Sequence, residues 1–202
     1  MSLVIKKTLI TVGIILAVFL CCYSCVSGTY NGLVSKEEKV KAQWAQVENQ
    51  YQRRYDLVPN LVATVKGYAK HESDVFTQIA DARSKAGGVV NIDASVTDDP
   101  ERLAEFQRIQ DSLGGALQRL LSVVENYPDL KADQNFLALQ DQLEGTENRI
   151  AVERKRYNDF AQDYNVSIRR FPAVILANNM GFKEKSYFSA ATEAKTAPVV
   201  QF

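Results

Sequence analysis

Between Val40 and Ala86 two seven-residue ladders of mostly apolar side chains run through the chain. One reads Val40, Val47, Arg54, Leu61, Tyr68, Val75, Ala82; the other reads Trp44, Tyr51, Val58, Val65, Glu72, Ile79, Ala86. Alternating steps of four and three put both ladders on one face of a helix, the seam that buries itself against partner helices. Arg54 and Glu72 alone interrupt it. Pro59 lies inside this stretch, where its missing N–H and its ring would ordinarily end a helix. The ladders keep phase through it, which favours one long helix bent at Pro59, with a break into two helices there as the alternative.

Ahead of the ladders, Lys6 and Lys7 precede an uncharged run from Thr8 to Val26, just long enough to cross a hydrocarbon core as a helix. Tyr23 and Tyr30 suit the membrane interface as aromatic anchors. The short basic start suggests a cytoplasmic N-terminus with the body exported. In the competing reading, Ser24-Cys25 ends a lipoprotein signal, so that Cys25 carries a lipid and no spanning helix remains. Gly28, Asn31 and Gly32 read as a loose joint, and Ser35 with Glu38 as a capping box that starts the first helix of the body.

Further on, Gly87-Gly88 stops the first pattern, and Val89 to Pro100 is rich in turn residues. Asp99 before Pro100 starts a helix with Leu103, Phe106, Leu113, Leu117, Leu120 and Val124 on one face, ending near Asn126-Tyr127-Pro128. Gly114-Gly115 inside it is unfavourable by about 1 kcal/mol per glycine, which suggests a close helix contact at that level. Asp133 caps a last long helix whose seam is Phe136, Leu143, Ile150, Tyr157, Tyr164, Phe171, and Pro172 requires it to end just before. Residues 173–202 are an apolar patch and an irregular tail that either packs back or docks elsewhere. The fold class expected is all-α: an N-terminal membrane anchor (1–29), an antiparallel up-and-down bundle (30–172) and a C-terminal patch and tail (173–202). The bundle has three helices if Pro59 only bends, four if it breaks.

The chain offers little chemistry. Its 202 residues carry 24 Lys plus Arg against 24 Asp plus Glu, so no net field draws nucleic acid. The three cysteines all lie in or beside the apolar run, and His71 is the sole histidine. A bundle di-metal site needs Glu-x-x-His on two helices, so no metal or other cofactor is expected. The candidate polar surface is Arg53, Arg54, Asp56, Glu144, Glu147 and Arg149. A charged residue in a seam takes a partner, because burying it alone costs several kcal/mol; Glu147 or Glu153 is expected to pair with Arg54.

Several motifs occur together and in order: Tyr30-Asn31-Gly32-Leu33-Val34, Trp44 to Asn49, Arg53 to Val62, Val65 to Ala69 and His71-Glu72. They continue with Glu125 to Ala132, Leu143 to Ile150, Tyr164-Asn165 and Arg170-Phe171-Pro172. From Tyr30 to Phe202 the chain resembles the LemA family of bacterial membrane proteins. The resemblance implies a membrane segment followed by a four-helix bundle, and no established enzymatic activity, metal or catalytic residue. One branch of that family is tied to magnetosome membranes, which hints at organising membrane. The function expected is therefore a non-enzymatic, membrane-anchored scaffold or protein-interaction module of the cell envelope. Its partners would be the membrane and either other proteins or its own copies. An adaptor for a membrane peptidase or envelope system is the alternative.

Overall fold

The computed structural model describes residues 3–89 and 93–189. Its elements are the helices α1 (Leu3–Tyr68), α2 (Ser73–Gly87), α3 (Pro100–Val124), α4 (Pro128–Lys131), α5 (Gln134–Arg169) and α6 (Ala173–Met180), with a 3₁₀ turn at Ala94–Asp98. Among the described residues there is no strand. The fold is an all-α, up-and-down bundle of α1, α2, α3 and α5.

α1 runs unbroken from the apolar run into the bundle, and it is the one described helix long and apolar enough to cross a membrane. Gly28, Asn31 and Gly32 are helical, so there is no joint, and Ser35 lies mid-helix instead of capping a new one. Each interior glycine costs about 1 kcal/mol relative to alanine. From Leu33 onward, burial of Leu33, Val40, Trp44, Val47 and Tyr51 outweighs that cost.

Pro59 also lies inside α1, which continues to Tyr68. The break that makes the fourth helix comes instead at residues 69–72, a tight turn in which the Glu72 N–H reaches the Ala69 carbonyl (3.4 Å). This corrects both the Pro59 break and the ladder beyond it. The turn consumes about one helical repeat, so apolar spacing survives it although the chain reverses. The buried residues are Ala69, Phe76, Ile79, Ala82 and Ala86, while Tyr68 is exposed and Val75 and Glu72 are half-buried. Tyr68 donates to Asp133 (3.0 Å) and Tyr127 to Glu72 (3.0 Å), tying this turn to the α3–α5 connection.

The caps of α3 and α5 fall where the sequence places them. The Asp99 carboxylate accepts from the Glu101 and Arg102 N–H groups ahead of α3, and Asp133 accepts from Phe136 N–H (2.8 Å) ahead of α5. α5 ends at Arg169, and Phe171, expected in its seam, is 81% exposed. Arg170 caps α5 in extended backbone (φ −80°, ψ 145°), so the chain has left the helix before Phe171, the residue whose helical conformation Pro172 disfavours.

The core has two parts. The outer one holds Val58, Leu61 and Val65 of α1 with Phe76 and Ile79 of α2, Leu113 and Leu120 of α3, and Phe136 and Leu143 of α5. The one nearer the apolar end of α1 gathers Leu33, Trp44, Tyr51, Phe106, Tyr157 and Tyr164. α2 does not reach that level; its place is filled by Val96 of the 3₁₀ turn and by Phe188 from beyond α6.

Candidate functional site

Between the two cores lies a polar layer, to which α1, α3 and α5 each contribute. Arg54, its side chain 4% exposed, donates through Nη1 to both oxygens of Glu147 (3.0 and 3.2 Å). Its Nη2 donates to the Gln110 carbonyl (2.8 Å) and to Gln110 Oε1 (2.7 Å). The guanidinium also stands 5.1 Å from the centre of the Tyr51 ring. A Cβ on Gly114 would stand 3.5 Å from Arg54 Nη1, an ordinary contact, so Gly114 faces this group, whereas nothing lies within 4 Å of a Cβ on Gly115 and the glycine pair marks no close helix contact. Thr146, fully buried, turns its hydroxyl onto the Gln142 carbonyl (2.7 Å).

Of the candidate polar surface, the structure joins Arg54 with Glu147 and leaves the rest outside the layer. Arg53, Asp56, Glu144 and Arg149 are exposed; Asp56 accepts from Gln52 and Glu144 from Gln140. Glu153 faces Gln43 and Arg156 rather than Arg54. His71 is exposed in the turn after α1. Cys25 is exposed on α1. Among the described residues no group of three or more His, Cys, Asp or Glu side chains is placed to hold a metal ion.

The larger construction is one that the residue pattern does not announce. After α6, Gly181 takes a left-handed conformation (φ 79°), and residues 182–189 run extended across the bundle as a strap. An extended segment without a sheet must find partners for its backbone among side chains, and three amides supply them. Asn165 donates to the Lys185 carbonyl and accepts from its N–H, both at 2.8 Å. Asn158 does the same for Phe188 (3.0 and 2.9 Å), and Gln107 for Ser189 (2.9 and 3.2 Å). The Ser186 N–H meets the Thr97 carbonyl (2.7 Å), and the Tyr157 hydroxyl donates to the Ser186 carbonyl (3.1 Å).

Two strap side chains are inserted. Phe188 stacks on Trp44 (5.8 Å between centroids, 10° between planes) and meets Tyr157 edge-on at 5.3 Å, with Arg154 over its other side. Lys185, 4% exposed, holds Asp98 (2.6 Å) and Glu37 (3.0 Å). Both carboxylates keep part of their surface in water, so the cation is paired without either acid losing all its hydration. Burial pushes the hydroxyls of Tyr51, Tyr157 and Tyr164 to higher pKa. Burial also raises the carboxyl of Glu48, against a hydrogen bond from Trp44. Sequence reading missed the strap; its single trace is three amide residues beside apolar seam positions on α3 and α5. Residues 190–202, with the terminal Pro198 to Phe202, lie outside the described residues.

Fold and site together define a membrane-associated helical-bundle protein whose polar groups are spent on internal clamps. The sequence model of the LemA family matches residues 43–202, and the chain belongs to that family. Magnetosome protein MamQ 2 of Paramagnetospirillum magneticum is 29% identical over 189 residues, covering 85% of this chain and 68% of that protein. Magnetosome protein MamQ of Magnetospirillum gryphiswaldense is 29% identical over 178 residues (79% and 64%). Protein LemA of Metamycoplasma hominis is 25% identical over 183 residues (91% and 76%).

Proposed function

We propose that this protein is a non-enzymatic scaffold or protein-interaction module, anchored in a bacterial membrane by a single pass of α1. The observation that carries this reading is α1 itself. Its N-terminal part is apolar and unburied, and the same helix continues without a joint into the bundle, where it contributes to both parts of the core. A rigid continuation of this kind holds a bundle at a set height and angle over the bilayer, which a flexible tether does not. The MamQ relatives are magnetosome proteins by name, which supports a place at an organised cellular structure.

The N-terminus is cytoplasmic in this reading and the bundle lies outside the inner leaflet. Arg53, Asp56, Glu144 and Arg149, exposed around the closed Arg54–Glu147 pair, are the surface assigned to protein partners. Full-length protein extracted from native membranes and sized by light scattering tests the reading. A stable self-assembly or a stoichiometric partner is expected; a bare monomer, or turnover of a substrate that is lost on Glu147→Gln, would sink it. Intact mass decides the form of the anchor: near 22.6 kDa means a retained helix, whereas loss of residues 1–24 with a lipid on Cys25 means a lipoprotein.

A further inference from the structure

α6 is built inside out. It buries its small residues, Ala173 and Ala177, against Leu33 of α1 and Ile168 of α5, and leaves larger apolar side chains outside. Ile175 is 54% exposed, Met180 51%, and Phe171, one turn before Ile175, 81%. From Phe171 to Phe182 there is no charge, while exposed Arg169, Arg170 and Lys183 stand on either side, with Glu184 facing Arg169 at 3.6 Å. A water-facing helix would place its alanines outward and its isoleucine inward.

The position of this patch identifies what covers it. α5 descends antiparallel to α1, with Lys36 opposite Asp163 and Ser167 (2.9 and 2.6 Å), so its end comes down to the level of Leu33. Phe182, at the other end of α6, meets Tyr30 edge-on at 5.7 Å. At 1.5 Å per residue, Tyr30 and Leu33 lie only about 6 and 10 Å along α1 past Val26, where the apolar run ends. The polar interface of a bilayer extends roughly 5–8 Å beyond the hydrocarbon on each side, which takes in the level of Tyr30 and ends just short of that of Leu33. The patch is thus continuous with the unburied surface of α1, where Tyr23 and Val26 are also exposed. Aromatic and apolar side chains framed by basic residues are what that interface accepts.

We propose that α6 and the Phe171–Pro172 corner lie in the lipid–water interface beside α1, so that the bundle meets the bilayer at two places and cannot swing about its anchor. The proposal rests on α1 being the membrane anchor. The partner is a lipid surface, engaged by Phe171 and Ile175.

The test uses the full chain reconstituted into phosphatidylcholine vesicles, with or without bromine on the acyl chains near the carbonyl end, and reads tryptophan quenching. Trp44 is buried and stands about 27 Å along α1 beyond Val26, so wild-type emission is the unquenched baseline. Phe171→Trp and Ile175→Trp replace exposed side chains and leave the core intact. Each is expected to lose its added emission in brominated vesicles, whereas Val152→Trp, exposed on α5 well above the bilayer, keeps it. Phe19→Trp in α1 reports on the anchor alone. If Phe19→Trp is quenched and the two α6 variants are not, the inference fails and the anchor stands. If Phe19→Trp is also unquenched, the anchor fails and the inference goes with it. Quenching of Val152→Trp as strong as that of Phe171→Trp would mean a bundle lying flat, which overturns the inference too.

Discussion

The Arg54–Glu147 pair is asymmetric, and the asymmetry can be measured. Arg54 is 4% exposed at its side chain and Glu147 41%. Truncating Glu147→Ala leaves a guanidinium out of water with two of its acceptors, the carbonyl and Oε1 of Gln110, still in place. Breaking a buried pair in this direction costs about 3–5 kcal/mol. The surviving bonds to Gln110 put Glu147→Ala near the lower end, at about 3 kcal/mol. Truncating Arg54→Met leaves a carboxylate that rehydrates where it stands. The loss is then the donor to Gln110, about 1–2 kcal/mol, offset by an apolar side chain of similar length between the two cores. Arg54→Met should therefore fall within about 1 kcal/mol of wild type, and the double variant should track Arg54→Met rather than the sum of the singles. The coupling energy expected from the cycle is about 3 kcal/mol, a large part of a stability of about 5–15 kcal/mol. Urea unfolding of the full chain in micelles, followed by Trp44 emission, reports on the core without contribution from the apolar part of α1. If Arg54→Met costs as much as Glu147→Ala, desolvation does not govern this layer and the reasoning is wrong.

Three further outcomes are expected. Asn165→Ala leaves the N–H and carbonyl of Lys185 without their partner, so the strap should release to water, with protease cleavage within 183–189 accelerated and stability lower by about 1–3 kcal/mol; unchanged cleavage would mean that the amides do not clamp it. Pro59→Ala returns an N–H to α1 at an exposed position and should raise stability by up to about 3 kcal/mol, read as a higher urea midpoint; a lowered midpoint would show that the proline's own shape is needed there. Stability should also fall at both ends of the pH scale. The Phe136 N–H and then the Tyr68 hydroxyl hold the Asp133 carboxyl below its ordinary range, so its contribution is present above pH of about 4 and is lost as pH falls through its folded value. Burial holds the hydroxyls of Tyr51, Tyr157 and Tyr164 above theirs, so their contribution is present below pH of about 10 and is lost as pH rises toward the folded values. A urea midpoint that climbs above pH 10 would contradict this.

How far the residues foretell the molecule depends on whether a feature has a period. The seams of α1, α3 and α5 do, and residues such as Val47, Leu113 and Tyr157 are buried as spaced. The polar layer was visible as a defect in a period, since Arg54 in an apolar ladder demands a partner, although the choice of Glu147 over Glu153 needed the register of α5. The turn at 69–72 was invisible because a reversal that consumes about one helical repeat returns apolar residues to nearly the expected phase; Ala69 and Phe76 are spaced as any seam pair would be. Extended chain held by side-chain amides has no period at all. Asn165 lies 20 positions from Lys185 and Gln107 lies 82 from Ser189, with nothing local to join them.

Phe171 is the instructive failure, because it keeps the spacing of the α5 seam, seven residues after Tyr164, and yet stands in the open. Helical spacing implies burial against protein only where a neighbour is present, because spacing records only that an apolar side chain falls on a given side. Pro172 ends the helix before that side meets another helix, and the chain turns into α6, where Ile175 is exposed as well. Where the run of apolar residues outlasts the protein available to cover it, at the end of the bundle from which an apolar helix emerges, the cover we propose is lipid. The same argument accounts for Gly28 and Gly32 being tolerated inside α1: nothing packs against them, and the helix they belong to is held at one end by the core and at the other by the bilayer.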